Sequence, residues 1–167
     1  MCGIFGICTF CKEESIDQSL LESMSGVLKH RGPDGESVYS SRRVGMGVRR
    51  LMAMSEYMGY EPIHNEDSSI WVVLDGEICN HWELRVLLRR RGHRFYTSSD
   101  EELIPHLYEE FGHGCALKLN GAFAFAIWDE NSERLLLVRD RIGIKPLYYA
   151  IDTDKKLLTF GSEIKAI

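Results

Sequence analysis

Met1-Cys2-Gly3-Ile4-Phe5-Gly6 opens the chain, and the stretch continues as Ile7-Cys8-Thr9-Phe10. Residues 4–10 are apolar, glycine-bearing and few, the pattern of a buried strand. A cysteine directly after the initiator methionine is small enough for that methionine to be trimmed. Trimming would leave one residue carrying both a thiol and a free α-amine. A free thiol titrates near ~8.5 and an α-amine near ~7.7–8.0, so at neutral pH part of the amine is an unprotonated base. Nucleophile and base would then travel together, as in the pairing of a threonine with an N-terminal amine. The same residues also suit a buried cysteine opening a first strand, and the hexapeptide by itself does not choose.

Beyond this strand, Ser15 is placed to cap a helix over 15–29, with Leu20, Leu21, Met24, Val27 and Leu28 at helical spacing. His30-Arg31-Gly32-Pro33-Asp34-Gly35 forces a turn, and strands are expected over 37–41 and 44–51. Residues 52–65 have no clean period and read as a loop. Ile70-Trp71-Val72-Val73-Leu74 is a continuous apolar run ended by Asp75-Gly76, a strand covered on both faces. A helix over 80–91, ended by Gly92, comes next. Ser99-Asp100-Glu101-Glu102 has the spacing of a capping box and should open another. Pro105 falls inside that helix, where it would kink it or cost roughly 3 kcal/mol. Two hairpins close the chain, 122–129 with 134–140 and 147–151 with 157–161. Strands at both ends and helices between them predict an α+β fold in which helices pack on stacked antiparallel sheets. A chain of 167 residues forms one such domain, 1–167.

A net charge of −5 gives no reason to expect nucleic acid as a partner, and Arg89-Arg90-Arg91 reads as a solvated helix end. No stretch approaches the ~18 apolar residues that span a bilayer, so no membrane partner is expected. Charge and turns within the first fifteen residues leave no signal peptide, and the cytoplasm is the expected compartment. Five cysteines, an odd number without a secretion signal, argue against a disulfide framework. Cys8-Thr9-Phe10-Cys11 has the spacing of half a metal site. Neither Cys79 nor Cys115 supplies a second half, so the pair reads as structural or incidental and no metal is expected.

Several stretches, taken in order, resemble one family. They are Cys2-Gly3-Ile4-Phe5-Gly6, His30-Arg31-Gly32-Pro33-Asp34, Arg50-Leu51, Gly76-Glu77-Ile78, and Ser99-Asp100 with Glu102. Leu119-Asn120-Gly121 followed by Phe123-Ala124-Phe125-Ala126 comes next. The last is Arg139-Asp140-Arg141-Ile142-Gly143-Ile144-Lys145-Pro146-Leu147-Tyr148. Together they resemble the glutaminase domain of class II glutamine amidotransferases of the asparagine synthetase type, nearly from end to end. The resemblance implies an N-terminal-nucleophile hydrolase fold, a four-layer α/β/β/α sandwich of two antiparallel sheets flanked by helices. It implies that the Cys2 thiolate attacks the side-chain carboxamide of L-glutamine, with release of ammonia and hydrolysis of a thioester to glutamate. In the family the ammonia passes to an ATP-dependent synthetase domain, which this chain lacks; the resemblance makes asparagine synthesis the leading acceptor chemistry, with amidation of a sugar phosphate or of a peptide-like metabolite left open. No cofactor is implied for the glutaminase domain; ATP and magnesium would belong to the synthetase domain. Oligomeric state is not readable.

Position by position, the resemblance makes Cys2 the nucleophile and its α-amine the base. It sets Arg50 on the glutamine α-carboxylate and Asp100 on the α-ammonium, roles that suit a guanidinium fork and an acceptor-only carboxylate. Gly76 lends a backbone N–H to the oxyanion hole and Glu77 lines the same pocket. A surface Arg50, an Asp100 that only caps a helix and a Gly76 needed only for a turn are the structural alternatives.

One departure bears on the chemistry. Asp75 stands where the family has an asparagine whose side chain donates to the oxyanion. An ionised Asp75 cannot donate. The loss of one such donor costs roughly 2.7–4 kcal/mol of barrier. A protonated Asp75 would donate, if burial or a like charge raised its pKa. Met52-Ala53-Met54-Ser55, Glu61, Cys79 and Pro105 also depart from the family pattern. Three readings follow: a working glutaminase; a degenerate domain that binds glutamine or supports a partner domain; and a C-x-x-C binding module sharing the fold.

Overall fold

Ile4-Phe5-Gly6-Ile7-Cys8 alternates between two faces. The computed structural model, which describes residues 2–11, 15–51 and 62–167, buries both of them. Strand β1 (Gly3–Thr9) is buried along its whole length. Ile4 and Cys8 join one apolar cluster, while Phe5 and Ile7 join another on the opposite side. With a side-chain period of two, only a strand sandwiched between two layers can do this.

Helix α1 (Gln18–Val27) covers the outer face, and strands β2 (Gly35–Ser40) and β3 (Val44–Arg50) follow. A short strand β4 (Ile63–His64) leads to β5 (Ile70–Ile78), α2 (His81–Arg90) and α3 (Leu103–Phe111). The strands β6 (Gly121–Asp129) and β7 (Arg134–Arg139) form one hairpin, and β8 (Tyr148–Asp152) and β9 (Leu157–Gly161) the other. All pairings are antiparallel, in a five-stranded sheet β2-β3-β1-β9-β8 and a four-stranded sheet β4-β5-β6-β7. Ile4, Met46, Val48, Val73, Ala124, Ala126 and Trp128 meet between the sheets. Leu21, Met24 and Leu28 pack α1 on the first sheet. Leu84 and Leu88 of α2 and Leu103, Ile104 and Leu107 of α3 pack on Val72, Leu74, Phe125 and Ile127 of the second. The order of layers is therefore α/β/β/α, as the motifs implied.

Four local expectations are corrected. Asp17, not Ser15, caps α1: its Oδ1 accepts from the Ser19 N–H at 2.9 Å. The strand at residue 70 does not end at Asp75-Gly76 but runs on to Ile78, with Asp75 paired to Ala124 and Gly76 to Phe123. Pro105 falls in the first turn of α3, where a backbone N–H has no intrahelical acceptor and its absence is tolerated. Ser99 caps only a 3₁₀ turn, Asp100–Glu102. The reciprocal half of the capping box is absent because the Glu102 carboxylate accepts instead from the N–H groups of Tyr96 and Thr97. Met1, residues 52–61 of the expected loop, and the departures at 52–55 and Glu61 lie outside the described residues.

Candidate active site

Side-chain parity points three of the expected residues toward the space between the sheets. Cys2 shares the face of Ile4 and Cys8 and packs half-buried against the inter-sheet cluster. Arg50 shares the face of Met46 and Val48. The β1–β3 register pairs Gly3 with Arg49, and extending it by one residue sets Cys2 opposite Arg50. Asp75 lies on the face of Val73.

A cavity of about 600 Å³ opens beside this edge. Arg50, the end of β5 from Gly76 to Cys79, His81 at the start of α2, and residues 98–101 line it. Four of the expected residues, Arg50, Gly76, Glu77 and Asp100, are thus gathered around one space. Asp100 is held there because its Oδ2 accepts from the Ile78 N–H at 2.6 Å, tying the 3₁₀ turn to the end of β5. Gly76 is not a turn residue. It sits in the strand at φ +146°, and a Cβ there would lie 2.1 Å from the Ala122 carbonyl oxygen, so only glycine fits. Cys2 and Asp75 stand behind this wall rather than on it.

Arg31 joins the two. Its Nε donates to the Cys2 carbonyl oxygen at 2.8 Å, and its Nη2 lies 3.0 Å from Asp75 Oδ2. Gly32 lets this segment close in, since a Cβ there would sit 2.2 Å from the Arg49 backbone. Lys145 reaches Asp75 from the other side, Nζ to Oδ1 at 3.2 Å. Its loop is built by Asp140, whose carboxylate accepts from the N–H groups of Ile142, Ile144 and Lys145. Arg139 braces the same loop through the carbonyl oxygens of Gly143 and Lys145. Asp75 is only 1 % exposed, so its charge is matched by two cations rather than by water. Its Oδ2 accepts from Arg31, while Lys145 faces Oδ1 as an ion partner without hydrogen-bond geometry. Two cations thus face the carboxylate that stands where the resemblance expects an amide donor.

Glu101 is the residue that sequence reading missed. It entered only as part of a capping box, yet Arg50 Nη2 donates to its two carboxylate oxygens at 2.7 and 2.8 Å. The guanidinium expected to hold a substrate carboxylate is engaged by one of the protein's own. Burial pushes the Glu101 carboxyl up, Arg50 pulls it down and the neighbouring Asp100 charge raises it again, to about 7. Below that pH Glu101 no longer sets a charge against Arg50; above it the ion pair is at full strength. The apparent KM for glutamine should therefore fall as the pH drops from about 8 to about 6. Glu101→Gln should lower KM roughly tenfold at the higher pH and flatten this dependence. Steady-state glutamate release across pH measures both. A KM indifferent to pH and to the substitution would show that Arg50 does not hold the substrate.

The remaining cysteines do not add to the site. All five are free. Burial pushes the Cys8 and Cys115 thiols up to about 11, so neither is a thiolate at neutral pH. Cys79 is exposed and lines the cavity. Among the described residues, no helix is long and apolar enough to cross a membrane.

Residues 1–167 match the family model described as a glutamine amidotransferase domain. The chain is 43% identical over 169 residues to glutamine-hydrolyzing asparagine synthetase 2 of Bacillus subtilis (strain 168), covering 100% of this chain and 22% of that protein. It is 39% identical to asparagine synthetase 1 of the same organism, covering 100% of this chain and 26% of that protein. With asparagine synthetase 2 of Oryza sativa subsp. japonica the identity is 37%, over 100% of this chain and 28% of that protein. The chain thus spans about a quarter of the length of these relatives. Among solved structures, the glutamine phosphoribosylpyrophosphate amidotransferase of B. subtilis, complexed with ADP and GMP, matches with a TM-score of 0.77. The match covers 98% of this chain and 42% of that one, at 20% identity, a likeness of fold.

Proposed function

Because the chain belongs to the glutamine amidotransferase domain family, we propose that it hydrolyses the side-chain amide of L-glutamine and passes the ammonia to an ATP-dependent synthetase domain. The observation that carries this reading is the cavity that gathers Arg50, Gly76, Glu77 and Asp100, with Cys2 opposite Arg50 in the strand register. Once Met1 is removed, the α-amine of Cys2 takes the thiol proton and the sulfur attacks the amide carbon. The carbonyl electrons move onto oxygen, and the Gly76 N–H donates to the oxyanion. Collapse expels ammonia, which takes the proton from the amine. Water then attacks the thioester and releases glutamate. Arg50 holds the α-carboxylate and Asp100 the α-ammonium, while Glu77 lines the pocket. Asparagine synthesis is the acceptor chemistry that the relatives' names support. ATP and magnesium belong to the synthetase domain in this reading, and the glutaminase domain works without a cofactor.

A second reading, a domain that binds glutamine and turns it over slowly, is favoured by two observations. Asp75 stands between two cations where the resemblance expects an amide donor, and Glu101 competes for Arg50. Release of glutamate from glutamine by the purified chain separates the two readings by rate. Intact-mass measurement adds an independent check. The active protein should be lighter by one methionine residue, and a species that keeps Met1 should be inert because its amine is acylated.

A further inference from the structure

Away from the cavity, the turn between β4 and β5, the segment after α2, and α3 bring four side chains to one point: Glu66, His93, His106 and Glu109. His106 Nδ1 lies 3.2 Å from Glu66 Oε2 and 3.3 Å from Glu109 Oε2. His93 Nδ1 lies 3.5 Å from Glu66 Oε1 and 3.5 Å from Glu109 Oε2. Nitrogen and oxygen ligands sit about 2.0–2.2 Å from a tetrahedral zinc ion, which puts neighbouring ligand atoms about 3.3–3.6 Å apart. The four observed separations lie within about 0.1 Å of that range, with Glu66 turning Oε2 to His106 and Oε1 to His93, and all four ligand atoms lie within 4.8 Å of one another. We propose that Glu66, His93, His106 and Glu109 form a binding site for one divalent transition-metal cation of the zinc type.

Hydrogen bonding does not account for the cluster. Only one of the four contacts, His106 Nδ1 to Glu109, has hydrogen-bond geometry. The two rings lie with centroids 4.8 Å apart and turn both Nδ1 atoms to the same carboxylates. The imidazole of His93 also has an outer hydrogen-bond partner, as metal-bound histidines do, while that of His106 has a carboxylate nearby. His93 Nε2 is 3.2 Å from Glu110 Oε1, and His106 Nε2 faces Glu102 at 3.8 Å. The carboxylate ligands are themselves braced: Asn65 Nδ2 donates to Glu109 at 2.9 Å and the Arg94 N–H to Glu66 at 2.8 Å. Four carboxylates, Glu66, Glu102, Glu109 and Glu110, face two imidazoles, and among the described residues only Glu110 has a guanidinium partner, Arg91. A divalent cation would balance that charge. Two imidazoles with two carboxylates and no thiolate suit zinc or a neighbouring transition metal rather than calcium or magnesium. His106 is fully buried, whereas Glu66 and Glu109 reach the surface and leave a way in.

The test uses the chelator-stripped protein titrated with Zn²⁺ and Co²⁺. One equivalent should bind saturably and raise the thermal midpoint, and Co²⁺ should show the intense visible bands of a tetrahedral nitrogen and oxygen site. His93→Gln and Glu66→Gln, both at the accessible side, should each weaken Zn²⁺ binding by at least about tenfold, the least that loss of an outer partner produces. No saturable binding would overturn the site, leaving an ion-pair cluster. Undiminished affinity in both variants would overturn it, as would a sulfur-to-cobalt charge-transfer band, which would move the metal to the cysteines. None of these readouts depends on glutamine hydrolysis.

Discussion

Cys2→Ala should abolish glutamine hydrolysis. Loss of a nucleophile that works as a unit with its base removes roughly 10⁴–10⁶ in kcat. Here the substitution also removes the thiol that the strand register sets opposite Arg50 without touching the fold. Cys2 is half-buried and its backbone carbonyl, which holds Arg31, is unchanged by alanine. The thermal midpoint should therefore move little, since the change leaves the buried hydrogen bonds in place and opens only a small gap. Glutamine binding should survive, because the cavity residues are untouched. Rapid glutamate release by the alanine variant would mean that the chemistry runs elsewhere, with Cys79 in the cavity as the first alternative to examine.

Asp75→Asn should have the opposite sign. The carboxamide keeps an oxygen for Arg31 or Lys145 and adds an N–H₂ that can donate to an oxyanion. One such donor contributes roughly 2.7–4 kcal/mol, about 10²–10³ in kcat. The change also unpairs two cations. Breaking a buried ion pair by removing one partner costs about 3–5 kcal/mol, and an isosteric amide that still accepts hydrogen bonds should fall below that range. A faster but less heat-stable enzyme is the expected result, read from glutaminase rates well below the thermal midpoint and from thermal unfolding. An unchanged kcat with the same loss of stability would place residue 75 in a structural ion-pair network and outside the oxyanion hole.

Most of the fold was legible because strand and helix periods carry it. β1, the two terminal hairpins and α2 stand where the apolar spacing sets them. The boundaries failed where a side chain with two readings was assigned the local one. Asp75-Gly76 reads as a turn, yet cross-strand pairing with Ala124 and Phe123 carries β5 through it. Ser15 and Asp17 are both competent caps, and only the three-dimensional fit selects Asp17. The expected site residues came from motif resemblance, and the structure gathers Arg50, Gly76, Glu77 and Asp100 around one cavity. What stayed hidden were partners brought in from afar. Arg31 and Lys145 lie in the quoted motifs, but nothing in one sequence says that both converge on Asp75. Glu101 looks like an ordinary helix-opening acid until Arg50 is seen against it. The Glu66, His93, His106 and Glu109 cluster draws on three separate segments, so no short ligand spacing announces it.

β1 lies third of the five strands in its sheet, hydrogen-bonded on both sides. Phe5 to Cys8, paired with both neighbouring strands, cannot loosen by local fraying of the kind that frees loops. Cys2 lies just outside that doubly paired stretch, and what anchors it is its carbonyl oxygen on Arg31, so Arg31 sets how far the head of the chain can move.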